Sequence, residues 1–189
     1  MNAINGYEAS ADQLLANWAQ LDPMEVLAPV VDFLPGAGAR ALDVGAGDGR
    51  DARFMAKRGC DVLAVEPVAA FRDVSPMLGV TWLDDRLPDL RQTPEGPFDF
   101  ALLNGVLHHL RPDQQVQALQ VVAARAARVA LSLRIGPTPA DRPAFKIDEP
   151  SLLEAVAHRV VHRVERGSIQ DWNKSSGVTW VWLVLDDPI

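Results

Sequence analysis

Along most of the chain, short apolar runs alternate with stretches in which apolar residues recur every three or four positions. Beyond Arg40 the apolar runs have the length of β-strands, and they fall at 41–44, 61–65, 80–83, 98–103 and 129–133. Amphipathic segments between them, at 50–58 and 112–125, predict helices. Strands without a polar face, connected through helices, indicate a parallel sheet that is covered on both sides.

The end of the chain breaks this alternation. Two strand-like runs, 160–164 and 178–185, follow a predicted helix that begins at Pro150, and a polar stretch joins them without a helix. A hairpin is the natural interpretation, so one of these two strands runs antiparallel to the rest. Because 178–185 is apolar at odd and even positions alike, we expect that strand inside the sheet and not at its edge.

The first part of the chain carries helical patterns instead. Ser10 and Gln13 form a predicted capping box at the start of one helix. A second helix is predicted with Asp22 as its N-cap and an apolar stripe that runs to Leu34. These helices have no place in the sheet, so we expect them to lie over a bound ligand as a lid.

Length and composition fit one domain. The chain has 189 residues, which is enough for one α/β domain and too few for two. We therefore expect a single doubly wound domain, with a helical lid at 1–36 and the core at 40–189. The net charge of −7 argues against nucleic-acid binding, since an acidic surface repels phosphates. A single cysteine, together with the lack of an apolar targeting or membrane segment, predicts a cytoplasmic protein.

A glycine loop follows the first predicted strand. From Asp43 to Arg50 the sequence reads Asp-Val-Gly-Ala-Gly-Asp-Gly-Arg, so three glycines alternate between a strand and a helix. Glycine is needed where the turn is tight and the ligand touches the backbone, because a Cβ would intrude there. The pattern is typical of nucleotide sites, although it also fits a strand–helix turn that binds nothing.

Acidic residues indicate the kind of nucleotide. Glu66 closes the second strand, 17 residues beyond Gly49, where a carboxylate can accept both hydroxyl protons of a ribose. Asp43 precedes the loop and Asp48 lies inside it. These two acids disfavour the pyrophosphate of a dinucleotide and favour a ligand with cationic groups.

Four motifs in order resemble those of the Rossmann-like (class I) S-adenosylmethionine-dependent methyltransferases. The glycine loop resembles the first motif and Val-Glu-Pro at 65–67 the second. Trp-Leu-Asp-Asp-Arg-Leu-Pro at 82–88 is similar to the third, and the segment 98–110 to the fourth. An antiparallel strand next to the last parallel one is a further feature of that family. The resemblance covers roughly 40–133 and implies a Rossmann-like fold with S-adenosylmethionine as the cofactor.

The resemblance also implies roles for individual residues. Gly45 and Gly47 would approach the methionine part of the cofactor, with Asp43 shaping the loop and Asn104 near the same part. The amino-methylating enzymes that act on DNA bases or glutamine carry an Asn-Pro-Pro-aromatic signature, whereas Asn-Gly-Val-Leu stands at 104–107 here. The resemblance therefore does not imply those acceptors.

An aspartate of the third motif would bind the adenine amino group. Asp85 is the first choice and Asp84 the alternative, because the spacing to Leu87 does not decide which of the two points inward. With Glu66 on the ribose, these two residues complete the set that the resemblance assigns to the cofactor.

The acceptor is expected near loops at the carboxyl ends of the strands. Arg134 leaves the fifth strand and is a candidate to pair with a carboxylate or phosphate of the substrate, and Trp172 of the terminal hairpin is a candidate to line the pocket. His108 and His109 are candidates for a general base, since a neutral imidazole can accept a proton near pH 7. A packed or capping histidine is the alternative for either, and Tyr7 of the lid is a further candidate to reach the cofactor.

The sequence thus favours a methyltransferase that acts on an oxygen or nitrogen of a small molecule. Methyl transfer from a sulfonium depends largely on in-line positioning, so the lack of an assigned catalytic residue does not argue against activity. A non-catalytic subunit that binds the cofactor is the alternative. A nicotinamide-dependent oxidoreductase is a third hypothesis, disfavoured by the acids of the glycine loop.

Overall fold

The computed structural model describes residues 3–72, 79–137, 144–164 and 177–188. Its strands are β1 (Arg40–Val44), β2 (Asp61–Val65), β3 (Val80–Leu83), β4 (Phe98–Asn104), β5 (Ala126–Ile135), β6 (Val160–Val164) and β7 (Thr179–Asp186). Its helices are α1 (Ala3–Ala9), α2 (Ala11–Trp18), α3 (Pro23–Val26), α4 (Arg50–Lys57), α5 (Ala69–Arg72), α6 (Pro112–Ala123) and α7 (Glu149–Ala155). Two 3₁₀ segments span Ala28–Phe33 and Leu107–His109. No helix in these described ranges is long and apolar enough to cross a membrane.

The described strands form one sheet in the order β3-β2-β1-β4-β5-β7-β6. The first five in this order are parallel, whereas β7 lies antiparallel between β5 and β6. The predicted fold class is therefore confirmed, including the antiparallel strand that comes from the terminal hairpin. Trp182, Leu183, Val184 and Leu185 are all buried, because β7 has a strand on each side and apolar layers on both faces.

Two apolar layers sandwich the sheet, since successive side chains of a strand point to opposite faces. Leu42 of β1 and Leu131 of β5 belong to the layer that includes α6 and α7. Ala41 of β1 and Ala130 of β5 belong to the layer that includes α4 and the Ala28–Phe33 segment. This double burial explains why the strand sequences are apolar without alternation.

The N-terminal helices differ from the sequence prediction. Helix α1 begins at Ala3, and Ser10 lies between α1 and α2 without a side-chain bond to cap α2. Gln13 donates a hydrogen bond to the Asn17 side chain one turn ahead, 3.1 Å away, so its side chain does not reach back to Ser10. The predicted capping box is therefore wrong, although α2 does begin directly after Ser10, and α1 before it was not predicted.

The second predicted helix is also interrupted. Asp22 caps α3 as predicted, since its Oδ1 accepts a bond from the Met24 amide at 2.8 Å. However, α3 ends at Val26 and the chain continues as a 3₁₀ segment from Ala28. Pro29 explains the change, because proline lacks the amide hydrogen and clashes with the preceding helical turn.

Candidate active site

A cavity of about 890 Å³ lies at the carboxyl ends of the parallel strands. The loops after β1, β2, β3 and β4 line it, together with the ends of β5 and β7. Residues of α1 and α2, including Tyr7 and Trp18, line it from the other side. The predicted residues that it brings together are Asp43, Gly45, Gly47, Glu66, Asp85, Asn104, His108, His109 and Arg134.

The glycine loop is held against the second strand. The amides of Gly45 and Ala46 donate to the Val65 carbonyl at 2.8 and 3.1 Å. Gly45 has a φ of +72°, and a Cβ there would lie 2.7 Å from a methyl group of Val106. Both the backbone conformation and the close approach of the β4 loop therefore require glycine at this position.

Glu66 faces the same loop from the end of β2. Its Oε2 accepts a hydrogen bond from the Gly47 amide at 2.9 Å, and its Oε1 accepts one from the Val68 amide at 2.8 Å. Burial raises the pKa of Glu66, although these two hydrogen bonds oppose the shift. Because an ionised carboxylate has about four lone-pair sites, each oxygen keeps capacity for another donor such as a ribose hydroxyl.

Asp43 is almost fully buried at the end of β1, and its Oδ2 has no hydrogen-bond partner. Burial raises the pKa of Asp43 well above its ordinary value, and the neighbouring Asp51 carboxylate raises it further, against the opposing effect of Arg50. Asp51 itself forms a bidentate pair with Arg50 at 2.7 and 2.9 Å. Because that oxygen has almost no accessible surface, Asp43 can act on a cation in the cavity only through its charge and not through direct contact.

Asn104 connects this acidic group to β5. Its Nδ2 donates to Asp51 Oδ2 at 2.8 Å, and its Oδ1 accepts from the Ser132 hydroxyl at 2.8 Å. The same hydroxyl accepts a bond from the Gly105 amide at 2.8 Å. Ser132 therefore determines which end of the Asn104 amide faces Asp51.

The two aspartates after β3 have different surroundings. Asp85 lines the cavity, and its carboxylate accepts bonds from the Arg86, Gln92 and Thr93 amides and from the Thr93 hydroxyl, each at 2.8 Å. Burial acts to raise the pKa of Asp85, but these bonds outweigh it and the pKa is lowered. Asp84 does not line the cavity and pairs with Arg72 at 3.0 Å. The adenine contact of either residue stays a prediction.

His108 and His109 lie side by side, with ring centroids 4.0 Å apart. His109 Nε2 and the Tyr7 hydroxyl are 2.8 Å apart, which joins α1 to the loop after β4. Burial lowers the pKa of His108 to about 2, with smaller contributions from His109 and Arg134. Since a group with so low a pKa is a weak base, this argues against His108 as the general base and leaves His109 as the candidate.

Arg134 and Trp180 face each other across β5 and β7 as paired residues of the antiparallel ladder, and both line the cavity. The Arg134 guanidinium donates to the carbonyls of Gly136 and Pro137 at 3.4 and 2.6 Å. Trp172, the other candidate for the substrate, lies outside the described residues.

The sequence pattern does not single out three residues at or beside the cavity. Asp51 is not distinctive, because acidic residues are common in the first turn of any helix. Trp180 and Ser132 lie in apolar strand patterns, and Ser132 reaches the site only through its bond to Asn104. One sequence signal was present for Trp180. Trp180 and Trp182 are two residues apart in a predicted strand, so their rings lie on the same face of the sheet.

A family model described as a methyltransferase domain matches residues 12–137. No curated protein matched in a sequence comparison. Because the matched segment exceeds half of the chain, the chain belongs to this methyltransferase family. It is an S-adenosylmethionine-dependent methyltransferase.

Solved structures agree with the fold. The 1,6-didemethyltoxoflavin-N1-methyltransferase of Burkholderia thailandensis is 23% identical with a TM-score of 0.72, over 98% of this chain and 87% of that one. A TehB-like methyltransferase of Corynebacterium glutamicum is 19% identical with a TM-score of 0.70, over 97% and 100%. The [4+2]-cyclase SpnF is 14% identical with a TM-score of 0.72, over 100% and 98%.

The residues of the cavity fit S-adenosylmethionine. The acidic group of Asp43, Asp51 and Glu66 at the cavity wall places negative charge where a cationic ammonium or sulfonium would be favoured. Glu66 offers acceptor sites for the ribose, and the turn at Gly45 excludes a side chain where the backbone meets the ligand. A dinucleotide pyrophosphate would instead face several carboxylates.

Proposed function

We propose that the chain methylates an oxygen or nitrogen of a small molecule that binds in the cavity beside the cofactor. The observation that carries this proposal is the cavity of about 890 Å³, which runs from the glycine loop to Arg134 and Trp180 under the N-terminal helices. Its volume falls in the range of about 300–1,000 Å³ for small-molecule sites. The net charge of −7 supports the same reading, because it disfavours a nucleic-acid substrate.

In this proposal residues 1–36 act as a lid on a single domain. Tyr7 and Trp18 reach the cavity from α1 and α2, and the Tyr7 hydroxyl bonds to His109. Excluding water strengthens electrostatic interactions at a reaction centre and prevents side reactions. The Burkholderia relative, whose name describes N-methylation of a small molecule, supports an acceptor of similar size.

Methyl transfer from a sulfonium depends mainly on how the protein positions the acceptor and the cofactor. When bound, S-adenosylmethionine would supply an activated methyl group, with a neutral thioether as the leaving group. Glu66 would hold the ribose of the cofactor, and the charge of Asp43 would favour its cationic part. Asn104 bonds to Asp51 and lines the same cavity. His109 is placed to take the proton of an acceptor that is protonated at the working pH.

A methyl-transfer screen tests this function. Radiolabelled S-adenosylmethionine is incubated with the protein and with separate pools of metabolites, proteins and transfer RNA. We expect label in a small molecule, and we expect Glu66→Gln to abolish most of it while Glu25→Gln, an exposed carboxylate on α3, has no effect. Label only in protein or RNA would contradict the proposal. Cofactor binding without transfer to any pool would favour the alternative, a non-catalytic subunit.

A further inference from the structure

Aromatic rings from three parts of the chain line the cavity near the ends of β5 and β7. We call this the acceptor end and define it by Tyr7, His108, His109, Arg134 and Trp180. Glu66 follows β2, whereas Arg134 lies on β5, three strand positions away in the sheet. At about 4.8 Å per strand, roughly 14 Å separates these two strands, so the part of the acceptor end at Arg134 and Trp180 is distinct from the ribose site.

The rings of the acceptor end stand at steep angles to one another. His109 and Tyr7 are 5.2 Å apart at 86°, and His108 and Trp180 are 6.3 Å apart at 84°. Aromatic pairs prefer such edge-to-face packing. A ring packed in this way can still contact a further ring with its other face or edge. The acceptor end therefore offers planar apolar surfaces in several orientations.

Trp180 extends this aromatic surface to the loop that follows Asn104. A Cβ on Gly105 would lie 3.2 Å from the Trp180 ring, so the ring packs closely against the backbone that follows Asn104. Gly105 has a φ of +73°, which glycine adopts readily. A ligand stacked against Trp180 would consequently lie next to Asn104, the residue expected near the methionine part of the cofactor.

His108 and His109 add to the aromatic surface of the acceptor end, and His108 does so as an uncharged ring. That imidazole is 5% exposed, and burial keeps it neutral at physiological pH because its pKa is lowered to about 2. A neutral imidazole behaves as a polar aromatic ring and can pack against another ring. His108 is therefore unsuited to act as a base, but it can contribute a ring surface for binding an aromatic ligand.

We propose that the methyl acceptor is a planar aromatic or heteroaromatic compound that packs against the rings of the acceptor end. This inference rests on the proposed function. The reacting oxygen or nitrogen is attached to the ring or is part of it, and it is directed toward Asn104. A saturated ring of equal size is thicker and has no ring electrons, so it fits these surfaces less well.

Binding of matched compounds tests the inference without relying on catalysis. The probes are phenol, 1-naphthol and 2-naphthol, each compared with its fully saturated alcohol, which carries the same charge. Dissociation constants are measured by calorimetry at saturating S-adenosylhomocysteine. We expect at least one planar compound to bind roughly tenfold more tightly than its counterpart, from two or more ring contacts. Equal affinities within every pair, or binding of none of the probes, would overturn the inference.

Variants locate the preference within the cavity. Trp180→Leu should remove most of it while the affinity for S-adenosylhomocysteine stays unchanged, and Tyr7→Phe should retain it because the ring remains. Phe54→Leu, an aromatic substitution outside the cavity, is the matched control and should also retain it. An undiminished preference in Trp180→Leu would contradict the inference. If planar rings bind but the wild-type protein transfers no methyl group, the proposed function fails and the ring-binding site stands.

Discussion

Asp43 is placed where an ionised carboxylate is costly. Its side chain is almost fully buried, one oxygen has no hydrogen-bond partner, and Asp51 lies near enough to raise its pKa further. Groups perturbed in this way cluster at functional sites, because the structure keeps them for a ligand and not for stability. A cation bound beside Asp43 would offset the cost, which connects cofactor binding to the stability of the fold.

Removing the charge of Asp43 should stabilise the protein without added cofactor. A raised pKa in the folded state means that stability is greatest below the ordinary value of 3.8 and is lost as pH rises through the folded pKa. Asp43→Asn should therefore have a higher Tm than the wild type near pH 7, with the difference shrinking toward pH 4. Calorimetry at both pH values checks this, with Asp61→Asn, exposed at the start of β2, as the control. An equal difference at both values would contradict it.

Ser132 should affect cofactor binding through Asn104. Ser132→Ala removes the donor to Asn104 and leaves the partly buried Gly105 amide without its acceptor, at a cost of about 1 kcal/mol. We expect roughly tenfold weaker S-adenosylhomocysteine binding, measured by calorimetry, and partial recovery in Ser132→Thr. Ser151→Ala, a hydroxyl on α7, is the control. A loss of stability with unchanged affinity would show that Ser132 acts only on the fold.

Strand β7 contributes one tryptophan to the cavity and another to the hydrophobic core. Trp180 and Trp182 lie on the same face, but Trp180 lines the cavity while Trp182 is fully buried in the core. We expect Trp182→Leu to lower the free energy of unfolding by about 2–4 kcal/mol and to leave affinity for S-adenosylhomocysteine nearly unchanged. Trp180→Leu should cost about 1 kcal/mol or less. Urea unfolding of both variants measures the difference, and equal costs would contradict this assignment.

The N-terminal helices should open more readily than the sheet. A small cluster that includes Ala11, Leu14 and Phe71 holds them, separate from the two main layers. Segments with few buried contacts exchange their amide hydrogens at lower cost than a core. Hydrogen exchange should be faster in α1 and α2 than in β4 and β5, and S-adenosylhomocysteine should slow it in α2, where Trp18 faces Gly47. Uniform exchange, unchanged by the ligand, would argue against a lid.

The sequence predicts these elements to different degrees for physical reasons. The strands of the sheet can be predicted because burial on both faces makes them continuously apolar. The glycine loop can be predicted because a tight turn and a close backbone approach restrict the residue type. Pro29 breaks the second predicted helix, a local effect that the apolar stripe hides. The positions of Ser132 and Trp180 depend on the pairing of β4, β5 and β7, and that of Asp51 on the approach of α4 to Asn104. A single sequence shows these residue types but not their contacts.

At the scale of the whole molecule, strand order assembles the site. The parallel strands deliver five carboxyl ends to one edge, and the switch in order between β1 and β4 opens the crevice where ligands bind in such sheets. Fold alone does not determine the reaction, since the same architecture occurs in a [4+2]-cyclase. We expect the buried acids beside the glycine loop to make this cavity specific for a cationic adenosyl cofactor.

The most direct test of that connection is the thermal stability of the wild-type protein with S-adenosylhomocysteine and, separately, with NAD. A ligand present at about 100 times its Kd and bound only to the folded state adds roughly 2.7 kcal/mol of stability. We predict that S-adenosylhomocysteine raises the Tm in this concentration-dependent manner and that NAD leaves it unchanged. A Tm raised by NAD and not by S-adenosylhomocysteine would contradict the account.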